Sequence, residues 1–259
     1  YDIVFDAMAM ADIVSKSIGD ATEIDRARGF EANAGGTSYL SPIASMLGAH
    51  IAAPVVTITA NRSFPKGAAS VKWDDDGVAP DDFTLVDRGT LIDYATSREH
   101  VATLAPWYQA HNIPPHSHGC ANSGAASDIP LVHTPNLRMT PASSETSFDD
   151  LVSSVRDGIA VVGGTCRMDY RRLTGQGTGE VVYRIKNGKL GDVIVGGAYL
   201  IRAPEFWQNV AALGGPQSLR WRGIEASKGQ PEQQTAHSVG AVPALVQNML
   251  FVQDPRGAG

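Results

Sequence analysis

The chain has 259 residues, a hydrophobic fraction of 43%, a charged fraction of 19% and a formal net charge of −6. These values are typical of a globular domain with its own core, and the acidic balance excludes a basic surface for nucleic acid. No apolar run approaches the roughly 18 residues that cross a bilayer, so we expect no membrane partner and a cytoplasmic location. The two cysteines, Cys120 and Cys166, leave open two reduced thiols or one disulfide.

Short strands and isolated helices alternate along the chain. In chain order the pattern predicts a strand at 1–5, a helix at 6–19, a helix at 41–50, a strand at 53–59, a hairpin at 84–94, a helix at 96–111, a loop at 112–130, a strand at 137–140, a helix at 146–158, strands at 159–163, 180–186 and 193–201, a helix at 204–213 and a strand at 242–252. Asp6 is a suitable N-cap for the first helix, and Asn187-Gly188 favours a hairpin turn. Hairpins mixed with single helices predict an α+β fold dominated by antiparallel sheet.

The most specific pattern lies at the end of the first predicted helix, in the segment VSKSIGDATEID at 14–25. It resembles the zinc helix of the TldD/PmbA metallopeptidase family, where His-Glu-x-x-Gly-His is followed by a Glu-x-Asp pair. Gly19, Glu23 and Asp25 match that frame.

The metal positions of that frame do not match. Ser15 and Asp20 stand where the resemblance places two histidine ligands, and Lys16 stands where it places the catalytic glutamate. The family's third ligand is a cysteine just before a Lys-Gly-Gln-Pro-like segment, here Lys228–Pro231, which follows Ala226-Ser227. A hydrolytic zinc site needs about three protein ligands and a nearby base, so we expect no metal and no other cofactor in this chain, with zinc carried by a partner subunit.

The resemblance extends over nearly the whole sequence. Further segments follow the family's order at 52–58, 73–77, 85–94, 134–139, 148–159 and 183–189. Residues 1–259 are therefore identified as a C-terminal domain of this family, and the resemblance implies that the family's N-terminal domain is absent from this chain. It also implies curved, barrel-like, mainly antiparallel sheets with a few packed helices.

A second group of polar residues lies in the loop predicted at 112–130. In an extended segment His116, His118 and Cys120 share one face, and two imidazoles with a thiolate suit zinc, so this set is an alternative metal site. A solvated polar loop explains the same residues.

Next to that loop, the sequence offers candidates for contacts with a substrate. They are Trp107, Tyr108, His111, His116 and His118. Large aromatic side chains near turns can line a peptide groove, although packing in a core or a dimer contact is the alternative.

The resemblance implies a heterodimer of one zinc-bearing and one zinc-lacking subunit that degrades or processes peptides. We therefore predict a TldD/TldE-type subunit, itself non-hydrolytic, that pairs with a homologous chain as a hetero- or homodimer and binds a peptide or peptide-derived substrate. The alternative is a repurposed stand-alone enzyme with metal-free or altered-metal chemistry, in which Lys16, Asp20 and Glu23 catalyse. A purely structural role is the third possibility.

Overall fold

The computed structural model describes residues 1–253. The strands of this part are β1 (Asp2–Phe5), β2 (Ile58–Asn61), β3 (Phe83–Asp87), β4 (Thr90–Leu91), β5 (Ala121–Asn122), β6 (Leu131–Val132), β7 (Asn136–Met139), β8 (Asp157–Val162), β9 (Thr165–Met168), β10 (Thr174–Thr178), β11 (Val181–Lys186), β12 (Lys189–Val193), β13 (Gly197–Arg202), β14 (Val210–Leu213), β15 (Arg220–Lys228), β16 (Gln233–Ala241), β17 (Ala244–Val246) and β18 (Leu250–Gln253). The α-helices are α1 (Ala7–Val14), α2 (Ile24–Ala27), α3 (Ile43–Met46), α4 (Val101–Ala110), α5 (Phe148–Ser153) and α6 (Ala203–Gln208).

Three larger sheets and one small one organise these strands. The first sheet has the order β12-β11-β8-β1-β17-β14, the second β15-β16-β7-β2-β3-β4 and the third β18-β13-β10-β9, while β5 pairs with β6. All pairs are antiparallel except β1 with β8 and β16 with β7. The α+β class and the dominance of antiparallel pairing are thereby confirmed. Within residues 1–253 each larger sheet keeps two free edges, so the barrel-like part of the prediction is not confirmed.

Helix α1 lies where the three larger sheets meet. It contacts β15 and β16 of the second sheet, β8 of the first and β9 of the third. The Asp6 side chain accepts a hydrogen bond from the Ala9 amide at 2.8 Å, which caps the helix as predicted. Nearly every α1 side chain is buried because the helix is enclosed on all sides, and an all-round apolar helix suits that position.

The helix continues beyond Val14 in irregular turns. A π-helical turn covers Ser15–Gly19 and a tight 3-10 turn covers Asp20–Thr22. A Cβ on Gly19 would lie 2.8 Å from the Thr134 side chain and 2.9 Å from Leu137, so only glycine lets this turn approach β7. Single π-helical turns such as Ser15–Gly19 occur frequently at functional sites.

Several predicted elements end elsewhere because tertiary pairing overrides local preference. The helix predicted at 146–158 stops at Ser153, since residues from Gly158 pair in parallel with β1. The strand predicted at 193–201 is divided between β12 and β13, which belong to different sheets. The helix predicted at 204–213 gives way to β14, which pairs with β17.

Three further boundaries differ at helices and strands with weak local signals. The helix predicted at 41–50 shortens to α3, the helix predicted at 96–111 begins only at Val101, and the strand predicted at 53–59 is β2. The hairpin of β15 and β16, with nine residues in each strand, was not predicted at all. No helix of the described residues has the length and apolar character to span a membrane.

Candidate functional site

A cleft of about 350 Å³ opens beside the irregular turns that follow α1, and we name it the α1 cleft. Its lining residues are Lys16, Asp20, Arg26, Cys166, Arg167, Met168, Arg172, Glu225, Ala226 and Ser227. The fold therefore brings Lys16 and Asp20 to the same cleft as the Ala226-Ser227 segment, although about 200 residues of sequence separate them. These are the positions at which the resemblance places a zinc ligand, the catalytic base and the third ligand.

Ser15 occupies the first ligand position without reaching the cleft. It is fully buried, and its Oγ lies 2.8 Å from Nε2 of His237 on β16. Burial lowers the pKa of His237 to about 4, so this imidazole is neutral at pH 7. The hydroxyl and the imidazole satisfy each other. Sequence reasoning missed His237 because it lies in the hairpin that was not predicted.

Asp20 is held by a cation at the second ligand position. Its Oδ2 lies 3.2 Å from Nε of Arg172, and Nη2 of Arg172 donates to the Gly35 carbonyl at 3.0 Å. Both Asp20 and the Arg172 guanidinium are largely buried. The carboxylate charge is therefore balanced by protein and is not free for a metal.

Glu23 belongs to a buried ionic network behind the cleft. Its Oε2 accepts from Nε of Arg26 at 2.5 Å and from Nζ of Lys228 at 2.7 Å, and Lys228 also donates to Asp25 at 2.7 Å. Its Oε1 accepts from the Thr134 amide at 2.8 Å. Burial alone would raise the pKa of Glu23, but Lys228 and Arg26 hold that pKa far below its usual value. A carboxylate that is held ionised by Arg26 and Lys228 and also accepts from Thr134 fixes structure and is not available as a base.

The α1 cleft does not fit a zinc ion. Its lining carries four cations, at Lys16, Arg26, Arg167 and Arg172, against the two carboxylates of Asp20 and Glu225. Among the described residues, none of the cleft's acidic or cysteine side chains belongs to a group of three metal donors. An excess of positive charge repels a metal ion and attracts an anion. In residues 1–253 neither Lys16 nor Arg167 has an ion-pair partner.

A second polar group, the histidine cluster, consists of Asp81, Asp93, His116 and His118. Nδ1 of His118 lies 2.8 Å from Oδ1 of Asp81, and its Nε2 lies 3.1 Å from Oδ2 of Asp93. Nε2 of His116 lies 3.2 Å from Oδ2 of Asp81. Burial alone would lower the pKa of His118, but its hydrogen bonds to the two carboxylates raise it to about 9.

Helix α4 places the other predicted contact residues beside this cluster. The hydroxyl of Tyr108 donates to Asp93 at 3.1 Å, and the Tyr108 ring is 5.7 Å from that of His116. Trp107 stacks on His111 with 4.3 Å between ring centroids. Tyr108 is buried and His111 is exposed. Contacts between rings connect the five predicted residues into one region, which lies apart from the lining of the α1 cleft.

Cys120 does not join His116 and His118. Its buried Sγ points toward the His118 carbonyl at 3.9 Å, and burial raises the pKa of the thiol to about 12. Among the described residues, the group that could hold a metal ion instead combines the two histidines with Asp81, all donor atoms lying within 4.8 Å of one another. Asp81 lies far from the histidines in sequence and carried no signal that linked it to them.

A known protein family matches nearly the whole chain. A family described as "PmbA/TldA metallopeptidase C-terminal domain" matches residues 1–252. No curated protein matches the chain in sequence.

Solved structures share the fold. A proposed modulator of a DNA gyrase from Thermotoga maritima superposes with a TM-score of 0.70 at 16% identity, over 97% of this chain and 49% of its own. A proposed modulator of DNA gyrase from Bacteroides thetaiotaomicron gives 0.64 at 16% identity, over 98% and 47%. TldE from Thermococcus kodakarensis gives 0.61 at 16% identity, over 95% and 50%. The chain thus spans about half the length of the structures it matches.

Proposed function

This chain belongs to the TldD/PmbA metallopeptidase family, and from that premise we propose that it is a non-hydrolytic subunit of a two-subunit peptidase that binds peptides in the α1 cleft. One observation carries the proposal: the cleft presents Lys16 and three arginines where hydrolysis needs metal ligands and a base. Ser15 is already hydrogen-bonded to His237 and Asp20 is ion-paired with Arg172, so the cleft offers charge but no zinc site.

The basic side chains of the cleft that lack an ion-pair partner in the described residues indicate which kind of ligand it binds. The guanidinium of Arg26 is committed to Glu23 and to the Gly35 carbonyl, and that of Arg172 is committed to Asp20. Lys16 and Arg167 remain to receive a ligand. A peptide brings one carboxylate at its C-terminus, and hydrogen bonds from a cation to a carboxylate are the strong ones. We therefore assign the cleft to the C-terminal end of a peptide.

A partner subunit is supported by exposed apolar side chains at sheet edges. Val193 on β12, Val195 in the turn that follows and Val252 on β18 are 56%, 59% and 49% exposed. Both β12 and β18 are edge strands, and edges with apolar side chains favour pairing with another chain. The partner is a homologous, zinc-bearing subunit or a second copy of this chain, and a stable interface would bury more than about 1,000 Å² in total.

Peptide binding is tested with fluorescent peptides that carry either a free carboxylate or an amide at the C-terminus. The wild type should bind the free carboxylate at least about tenfold more tightly, since a charged hydrogen bond contributes about 1.5 to 3 kcal/mol. Lys16→Met should remove this preference, whereas Lys189→Met on the exposed strand β12 should keep it. Equal affinity of the wild type for both peptides would refute the assignment.

Subunit association is tested by sedimentation of the chain alone and mixed with a zinc-bearing homologue. We expect a dimer in at least one case, and peptide hydrolysis only when the homologue is present. Val252→Glu should weaken the association, and Lys66→Glu, away from the β12 and β18 edges, should not. A strict monomer in both samples would leave the subunit role without support.

The stand-alone enzyme has one observation in its favour. Lys16 is half-buried, lacks an ion-pair partner in the described part of the chain and lines the cleft together with the Cys166 thiol. A lysine in such a place can serve as a base or a nucleophile. Turnover of a peptide-derived substrate by the purified chain alone, abolished by Lys16→Met, would favour this alternative over the subunit role.

A further inference from the structure

The histidine cluster lies outside the α1 cleft, and the proposed function does not use it. Two imidazoles and a carboxylate converge there from distant parts of the sequence, with all three donor atoms within 4.8 Å of one another. We propose that Asp81, His116 and His118 bind one divalent transition-metal ion, with Zn²⁺ as the first expectation.

The spacing of the donor atoms suits a tetrahedral metal. Ligand atoms about 2.0 to 2.1 Å from zinc lie about 3.3 Å from one another in a tetrahedron. The Asp81 carboxylate is 2.8 Å from Nδ1 of His118 and 3.2 Å from Nε2 of His116. All three donor atoms lie within 4.8 Å of one another, so a bound ion would draw them together to tetrahedral separations.

Both histidines have the partners that metal-bound histidines need. The ring nitrogen of His118 that faces away from Asp81 is 3.1 Å from Asp93, and that of His116 is 3.0 Å from the Pro114 carbonyl. Each partner can accept an N–H, so a bound ion would take the place of the proton that lies between Asp81 and the nitrogen facing it. A carboxylate that orients a ligating imidazole in this way is a recurrent feature of metal sites. The site therefore carries the outer contacts as well as the ligands.

The surroundings hold this arrangement and leave one side open. The Phe83 ring stacks on His118 with centroids 3.8 Å apart, and Tyr108 donates to Asp93 at 3.1 Å. The side chain of His118 is 3% exposed, whereas those of Asp81 and His116 are 42% and 43% exposed. An ion could enter from the solvent side and keep a water molecule as its fourth ligand, since three protein ligands leave one position open.

The ligand set also suits Fe²⁺, so the experiment distinguishes the two metals. The full chain, without a polyhistidine tag, is stripped with a chelator and titrated separately with Zn²⁺, Fe²⁺ under anaerobic conditions and Co²⁺. Calorimetry gives affinity and stoichiometry, and the visible spectrum of bound Co²⁺ reports its geometry. We expect one ion per chain and a tetrahedral Co²⁺ spectrum, which supports Zn²⁺, whereas an octahedral Co²⁺ spectrum would indicate the geometry of an Fe²⁺ site.

Exposed ligands are the first choice for variants, because their loss should not unfold the chain. His116→Gln and Asp81→Asn should each weaken binding by more than 100-fold, and Asp93→Asn, which removes an outer contact, by 10- to 100-fold. His50→Gln is the matched control, an exposed histidine that is not in the donor group, and it should bind like the wild type. Absence of binding to the wild type, or undiminished binding to both ligand variants, would overturn the proposal.

Discussion

The α1 cleft and the histidine cluster differ in the charge that surrounds their polar side chains, which is mainly positive at the cleft and negative at the cluster. Behind the cleft burial keeps His237 neutral, and at the cleft Arg172 pairs with Asp20, while Lys16 and Arg167 have no ion-pair partner in the described residues and remain for a ligand. At the cluster, two carboxylates flank His118. Their negative charge is balanced only when an imidazole carries a proton or the cluster binds a cation. If both proposals hold, the charges of the neighbouring residues, more than a residue's place in a family motif, decide where a metal ion binds.

The largest expected effect comes from the ionic network behind the cleft. Lys228→Met should lower the free energy of unfolding by about 3 to 5 kcal/mol, because it leaves Glu23 and Asp25 buried without their shared cation. Urea denaturation measures this. The control variant Glu225→Gln changes an exposed side chain at the cleft. Its free energy of unfolding should stay within about 0.5 kcal/mol of the wild-type value. A Lys228→Met variant as stable as the wild type would show that the network is dispensable.

Acid should destabilise the folded chain through two buried imidazoles. The pKa of His237 and that of His133 are both lowered by burial to about 4 in the folded chain, whereas an unfolded histidine has a pKa of about 6.5. The unfolded chain therefore binds more protons between these values, and stability is lost as the pH falls from 6.5 toward 4.

This loss is on the order of 3 kcal/mol for each histidine at most. Denaturation at pH 7 and pH 4.5 should show a smaller difference for His237→Gln than for the wild type. The exposed His50 provides the control, since His50→Gln should keep the full difference. Identical pH dependence of wild type and His237→Gln would contradict the prediction.

A metal ion should separate the two regions directly. Zn²⁺ at about 100 times its dissociation constant should raise the free energy of unfolding by about 2.7 kcal/mol if it binds the folded chain alone. The gain should appear in the wild type and in Lys16→Met, and vanish in His116→Gln. Thermal unfolding with and without Zn²⁺ gives the answer. If Zn²⁺ no longer stabilised Lys16→Met, the ion would be bound at the cleft, which would contradict the assignment of the metal to the histidine cluster.

The smallest effect on stability is expected at Lys16 itself. Its ammonium has no ion-pair partner in the described residues, so Lys16→Met should change the free energy of unfolding by less than about 0.5 kcal/mol. Denaturation of the two proteins side by side tests this. A cost above about 2 kcal/mol would mean that Lys16 supports the fold and is not held ready for a ligand.

Elements with strong local signals were predictable. The Asp6 cap, the hairpin at Arg88-Gly89 and the turn at Asn187-Gly188 each follow from residues that favour one conformation, and each is present. The long β15–β16 hairpin was missed, because its turn contains Gly229 and Pro231 without the usual two-residue turn pattern, and its strands alternate weakly. Because this hairpin was not predicted, His237 on β16 was not recognised as a neighbour of Ser15.

The sequence by itself determined the family, the α+β class and the replacement of the zinc-helix residues by Ser15, Lys16 and Asp20, because these depend on residue type and order along the chain. Only the tertiary structure decided what surrounds those residues. It paired Asp20 with Arg172, and it set Asp81 rather than Cys120 against the two loop histidines. Such contacts join residues far apart in sequence, and the packing of sheets and loops, which no local pattern encodes, fixes their distances and charges.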